Sequence, residues 1–168
     1  MKLLTTFLLS FSLALYLPIA SAKTVLGWLE PITIIVDSQL LSLQAKIDSG
    51  ADNSSIHAKN IKRFEKNNEP WVKFTTVNEF VIEAPIIREA KIKTKLIGLN
   101  KRPVILMEVC LGGIQRKIEM NLIDRAHFTK PILIGRSGLS GFVIDPSETG
   151  LTCKMRCQPA IKQPDCDQ

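Results

Sequence analysis

From Leu41 to Ile47 apolar and polar residues alternate strictly, with Leu41, Leu43, Ala45 and Ile47 on one side and Ser42, Gln44 and Lys46 on the other. A period of two belongs to a β-strand with one face on a core. Ile32–Val36, a mostly β-branched run, reads as a strand as well, and so do Trp71–Thr76, Lys91–Ile97, Val104–Leu111, Ile114–Leu122, Ile132–Ile134 and Phe142–Ile144. Gly112-Gly113 between two of them marks a tight hairpin. No segment sustains a helical period over three turns. The pattern therefore predicts an all-β fold with one short helix, after Gly135. The charged, Asn-rich run from Lys62 to Glu69 reads as a solvated loop, and Gln158–Gln168 as a polar tail.

The chain begins with Lys2 and an apolar stretch from Leu3 to Ala20, followed by the small-x-small triplet Ala20-Ser21-Ala22. This is the layout of a cleaved export signal, and it places the mature start near Lys23. An uncleaved anchor is the competing reading, but Thr5, Thr6, Ser10, Ser12 and Pro18 interrupt the stretch. The expected organisation is a signal peptide over 1–22, one domain over 23–151 and a cysteine-bearing tail over 152–168. The net charge of +6 is spread along the chain, so it gives only a weak preference for acidic partners and no nucleic-acid footprint.

Cys153, Cys157 and Cys166 crowd the C-terminus, and Cys110 stands far upstream. In an exported chain disulfides are the default, and three pairings are open. A zinc site is poorly served, because there is no paired Cys-x-x-Cys and no histidine nearby.

The alternating strand runs into Asp48-Ser49-Gly50-Ala51. It would deliver a carboxylate at the tip of a tight turn, where Gly50 admits a close backbone approach and Ser49 can bond backbone groups. An acid needs such a setting to hold a water, although Asp-Ser-Gly is also an ordinary turn sequence. Far downstream, Pro131-Ile132-Leu133-Ile134-Gly135-Arg136 is an apolar strand ending in glycine. Together, in this order, the two elements resemble those of retropepsins, in which such a strand passes beside the catalytic loop and leads into a short helix.

A closer resemblance runs from about Val25 to Leu151. It is carried by Gly27-Trp28, Lys46-Ile47-Asp48-Ser49-Gly50-Ala51, Ser54-Ser55-Ile56-His57-Ala58, Glu69-Pro70-Trp71-Val72-Lys73-Phe74, Asp124-Arg125, Leu133-Ile134-Gly135-Arg136 and Val143-Ile144-Asp145-Pro146-Ser147. These blocks resemble the retropepsin-like aspartic peptidase family historically labelled ATP-dependent zinc protease. The resemblance implies a retropepsin-like closed β-barrel with Asp48, Ser49 and Gly50 as the catalytic motif. Some members of that family trim glutamate tails added to proteins. The chain departs in having Ser49 for the usual Thr, Asp52-Asn53 where a basic residue and Thr are common, and a cysteine-bearing tail; these changes leave the acid untouched and bear on substrate preference.

The residues themselves argue against zinc and ATP. The two histidines, His57 and His127, are far apart, no His-Glu-x-x-His occurs, and no Gly-rich Lys-Ser/Thr loop is present, so no metal and no cofactor is expected. His57 would orient the site or serve as a packed structural residue, and His127 reads as a loop residue. Arg88, Arg102, Arg125 and Arg136 are candidates for holding an acidic peptide in two-pronged pairs, with ordinary surface charge or structural ion pairs as the alternative.

Peptide hydrolysis by carboxylates takes two of them sharing one proton, and the chain carries one Asp-Ser-Gly. The expectation is a periplasmic or secreted homodimer in which two Asp48 carboxylates meet, acting on peptide or protein substrates, with no nucleic-acid partner and no membrane contact after signal cleavage. A non-catalytic module that binds acidic peptides on the same fold is one rival. A monomer pairing Asp48 with another acid of its own chain is the other.

Overall fold

A computed structural model of the chain describes residues 22–94 and 98–157. Residues 1–21 of the expected signal, the expected polar tail Gln158–Gln168 with Cys166, and the end of the expected Lys91–Ile97 strand therefore lie outside the described residues. Among the described residues no helix is long and apolar enough to cross a membrane.

Eleven strands run in the order β1 (Val25–Val36), β2 (Gln39–Ile47), β3 (Ser54–His57), β4 (Lys59–Lys66), β5 (Glu69–Thr75), β6 (Val81–Pro85), β7 (Arg88–Thr94), β8 (Gly98–Leu111), β9 (Ile114–Ile123), β10 (Ile132–Ile134) and β11 (Val143–Thr149). The larger sheet has the order β11-β1-β2-β10-β3-β9-β8-β7, and a further pairing of β1 with β8 closes it into a ring. β1 makes the closure possible through its length. One edge of β1 follows β2 from Leu29 to Val36, while the other meets β11 near its start and β8 over Ile32–Ile35. A closed ring leaves few free edges and gives every inward residue a packed neighbour.

The inward residues are those the alternation marks. Leu41, Ala45 and Ile47 of β2 are buried, and so are Ile32 and Ile34 of β1, Ile105, Met107 and Val109 of β8, and Ile118, Met120 and Leu122 of β9. The smaller sheet, β4-β5-β6, contributes Val72, Phe74, Ile82 and Ala84 to the same core. The helix expected after Gly135 is a single 3₁₀ turn, Arg136–Gly138, and a second 3₁₀ turn at Val77–Glu79 had no sequence signal.

The solvated loop expected over Lys62–Glu69 is instead the β4–β5 hairpin. β4 is exposed along almost its whole length, so it shows no apolar period to read. Its turn, Asn67-Asn68, has both residues at positive φ. Asp37-Ser38 between β1 and β2 and Gly112-Gly113 between β8 and β9 share this conformation. Two-residue hairpins favour it because its twist matches that of the flanking strands.

Two features fasten the segment after β11. Cys110 on β8 is bonded to the buried Cys157, and Ile35 of β1 packs against the pair. Cys153 is also disulfide-bonded, and no described cysteine is free. The carboxylate of Glu30, only 1% exposed, accepts hydrogen bonds from the backbone N–H groups of Gly27 (2.6 Å), Leu151 (3.0 Å) and Thr152 (3.0 Å) and from the Thr152 hydroxyl (2.6 Å). Four donors converging on one buried carboxylate tie β1 to residues 151–152. Replacing Glu30 by Gln keeps the shape but turns an NH2 group toward N–H donors, and the loss is expected to be about 3 kcal/mol. Chemical denaturation checks this, and a midpoint matching wild type would remove Glu30 from that role.

Candidate active site

β2 ends at Ile47, and Asp48 stands at the first position beyond it, with Ser49 and Gly50 in the following turn. Three contacts set the Asp48 side chain. Its backbone N–H donates to the Ile134 carbonyl at 2.9 Å, one carboxylate oxygen accepts the Gly50 N–H at 3.0 Å, and Lys46 Nζ lies 3.6 Å from the other. The side chain is 28% exposed, so one oxygen is organised from within while the group stays open to solvent.

The apolar strand passes where the expectation put it. β10 lies between β2 and β3, parallel to the first and antiparallel to the second. Gly135 follows directly. A Cβ there would stand 2.7 Å from the carbonyl carbon and oxygen of Asn53 and 2.8 Å from the Ala51 carbonyl oxygen, all backbone atoms with little freedom to move. Ser54, fully buried, donates no bond to this glycine but accepts one, the Gly135 N–H at 3.1 Å. Steric room, rather than an unusual backbone conformation, is what this position demands.

The arginines separate into different tasks. Arg136 donates to the Ser49 carbonyl at 3.1 Å and pairs with the Asp52 carboxylate, while its side chain remains 57% exposed. Arg88 pairs with Glu119 on β9 and donates to the Asn53 side-chain oxygen at 3.1 Å. Both therefore grip the loop that carries Asp48. Arg125 is 6% exposed; it donates to the Ser55 hydroxyl at 2.9 Å and to the Lys130 carbonyl at 3.2 Å, and lies over the Phe128 ring. Burial pushes its guanidinium below the ordinary arginine range, and the charge of Asp48 acts in the opposite sense, which makes Arg125 an electrostatic neighbour of the acid. Arg102 sits apart on β8, opposite Ala90 of β7, and burial lowers its pKa too.

His57 closes β3. Its Nδ1 accepts the Arg125 backbone N–H at 2.9 Å, which assigns the ring proton of the neutral form to Nε2. Asp124 lies 3.5 Å from the same nitrogen. The histidine thus shapes the loop that positions Arg125 and does not touch Asp48 in any described contact. His127 falls in a turn.

Sequence reasoning passed over two residues that matter here. Glu30 left a signal, a lone acid inside an apolar, β-branched strand. Arg116 left none, because on an alternating strand a basic residue reads as solvated. Among the described residues no cluster of three or more His, Cys, Asp or Glu has the arrangement of a metal site.

Residues 25–154 match a family described as RimB-like, retropepsin-like aspartic endopeptidase RimB. A protein from Shewanella halifaxensis named probable alpha-L-glutamate ligase is 34% identical over 116 residues, which cover 64% of this chain and 25% of that protein. One with the same name from Parasynechococcus marenigrum is 30% identical over 115 residues, with the same coverage of each chain. The chain thus spans about a quarter of the length of the curated relatives it matches. A crystal structure of a protein with unknown function from Legionella pneumophila aligns with a TM-score of 0.67 and 32% identity, over 78% of this chain and 99% of that one.

A Gly135→Ala substitution is expected to cost about 1–3 kcal/mol, because neither Asn53 nor Ala51 can retreat without moving the Asp48 loop. Thermal unfolding measures the cost. An unchanged melting temperature would show that the close approach is not a constraint.

Proposed function

The chain belongs to the RimB-like family of retropepsin-like aspartic endopeptidases, and from that premise we propose that it is an exported aspartic endopeptidase acting as a homodimer, each copy supplying one Asp48 carboxylate. The observation that carries this reading is the placement of Asp48: beside the β10 strand, one oxygen held by the Gly50 N–H, the group still open to solvent. One Asp-Ser-Gly per chain provides half of a pair, and a second copy related by a two-fold axis provides the other half.

Two adjoining carboxylates cannot both ionise, so the active pair carries one proton. The ionised member takes a proton from water as its oxygen attacks the scissile carbonyl carbon. The protonated member gives its proton to the carbonyl oxygen, leaving a tetrahedral diol. The carboxyl that took the water proton then gives it to the nitrogen while the other carboxylate takes a proton from a diol hydroxyl, so the carbon–nitrogen bond breaks, amine and carboxylic acid are released, and the pair again carries one proton. No metal or cofactor enters this sequence.

We assign acidic, glutamate-rich peptides as the substrate class. Arg136, exposed beside the catalytic loop, is the group best suited to substrate carboxylates, with Arg88, Arg102 and His57 as outer candidates and the buried Arg125 as support behind the site. The relatives named probable alpha-L-glutamate ligase support glutamate as the shared chemistry, and since the chain spans about a quarter of their length their ligase activity is not carried over to it. Export follows from the N-terminal signal pattern and agrees with disulfide bonding, and it implies a periplasmic or secreted enzyme. A second reading, a non-catalytic module for acidic peptides, draws on the bond between Asp48 and the Gly50 N–H, which an ordinary turn also forms.

Asp48→Asn is expected to leave fold and assembly intact while lowering peptide cleavage by several orders of magnitude; a binding module would keep its affinity and have no cleavage to lose. Mixed dimers of wild-type and Asp48→Asn subunits should be nearly inactive, whereas independent sites would retain about half the activity. Activity should follow a bell-shaped pH profile with an acidic optimum and persist in strong chelators. A fully active monomer at high dilution would sink the two-chain mechanism. Replacing Arg136 by Ala should weaken acidic peptides more than neutral ones, by about 1.5–3 kcal/mol for a shielded pair, and equal losses would remove it from specificity.

A further inference from the structure

The loop that carries Asp48 is mounted on the turn from Gly135 to Phe142. Four bonds join them: Arg136 N–H to the Ala51 carbonyl (2.8 Å), Ser137 N–H to the Asp52 carbonyl (3.2 Å), the Arg136 guanidinium to the Ser49 carbonyl (3.1 Å), and the Arg136–Asp52 ion pair. The near end of the turn is fixed by β10. Its far end is held from β9, where Arg116 donates to the carbonyls of Gly138 (3.2 Å) and Ser140 (2.9 Å) and stacks its guanidinium 4.4 Å from the Phe142 ring centroid. There is little slack between, because a Cβ at Gly138 would meet Ile134 at 2.9 Å and Ile118 at 3.1 Å. The Arg116 Nε is buried and has no hydrogen-bond partner among the described residues, so the guanidinium acts on the turn through its outer nitrogen.

We propose that Arg116 is a positioning residue for the Asp48 loop, acting through the Gly135–Phe142 turn and Arg136. One guanidinium reaching two carbonyls and a ring fixes both the height and the tilt of the turn, and the turn in its turn sets where the Ser49 and Asp52 contacts fall. Lysine could keep one of the carbonyl bonds but not the planar stack. The bearing of Arg116 on catalysis rests on the peptidase reading above, while the mechanical coupling does not.

Amide hydrogen exchange on the full chain tests the coupling without any substrate. Arg116→Met should raise exchange in residues 49–53 and at Arg136 and Ser137 by about tenfold while leaving β7 and β8 at the wild-type rate. Arg136→Met should do the same to residues 49–53, and the double variant should add nothing further, since the two act in series. Arg116→Lys should restore part of the protection, and it carries the test if Arg116→Met does not fold. On a cleaved peptide, Arg116→Lys should lower kcat by about fivefold with KM within about twofold, because the acid is displaced and not the binding surface. Faster exchange confined to residues 138–142, or spread evenly over the sheet, would overturn the proposal. A wild-type chain that cleaves nothing would overturn the peptidase reading, and the exchange pattern would still decide the coupling.

Discussion

The hydrogen bond from Asp48 N–H to the Ile134 carbonyl joins the two parts of the chain on which the site depends. It continues the parallel pairing of β10 with β2 by one residue and so fixes the height of the acid above the sheet. β10 is only three residues long, but it fills the gap between β2 and β3, and without it the ring would stand open at the place where Asp48 leaves it. Gly135 lets the strand leave past the Asn53 backbone, and the turn beyond it reaches back to the loop. Strand pairing, close approach and loop support are thus parts of one local arrangement.

Charge is used around the site chiefly to hold backbone. Arg136, Arg88 and Arg116 each donate to carbonyl or amide oxygens of loops that border Asp48, and Glu30 performs the opposite service by collecting N–H groups. The planar, multi-donor guanidinium suits this work, since one side chain can satisfy several carbonyls that no strand reaches. Arg136 combines such a grip with a side chain that is 57% exposed, and in the proposed reading substrate recognition and loop support meet on it.

Much of this was legible in the chain. The strict alternation of Leu41–Ile47 matches a strand whose buried residues are the ones the period selects, and Ile132–Ile134 coincides with β10. The Gly112-Gly113 hairpin was readable because paired glycines leave few other options. β4 was not readable, since a strand with no buried face writes no period, and its Asn67-Asn68 turn reads as an ordinary polar loop. β3 and β6 are short, four and five residues, so their pairing with β9 and β5 decides them. Arg116 escaped for a related reason: its partners are backbone carbonyls of a distant turn, and nothing in local sequence records them.

The chain order of the ring has a kinetic consequence. β2 and β3 are synthesised early, yet the strand that must lie between them is encoded far downstream of both. A slot must therefore stay unfilled until β10 is available, and closure depends on contacts of large sequence separation, which form slowly. A nascent chain that has not reached β10 would lack the support that organises Asp48. In the peptidase reading, hydrolytic competence is then withheld until β10 has been made, a form of latency that needs no separate inhibitory segment.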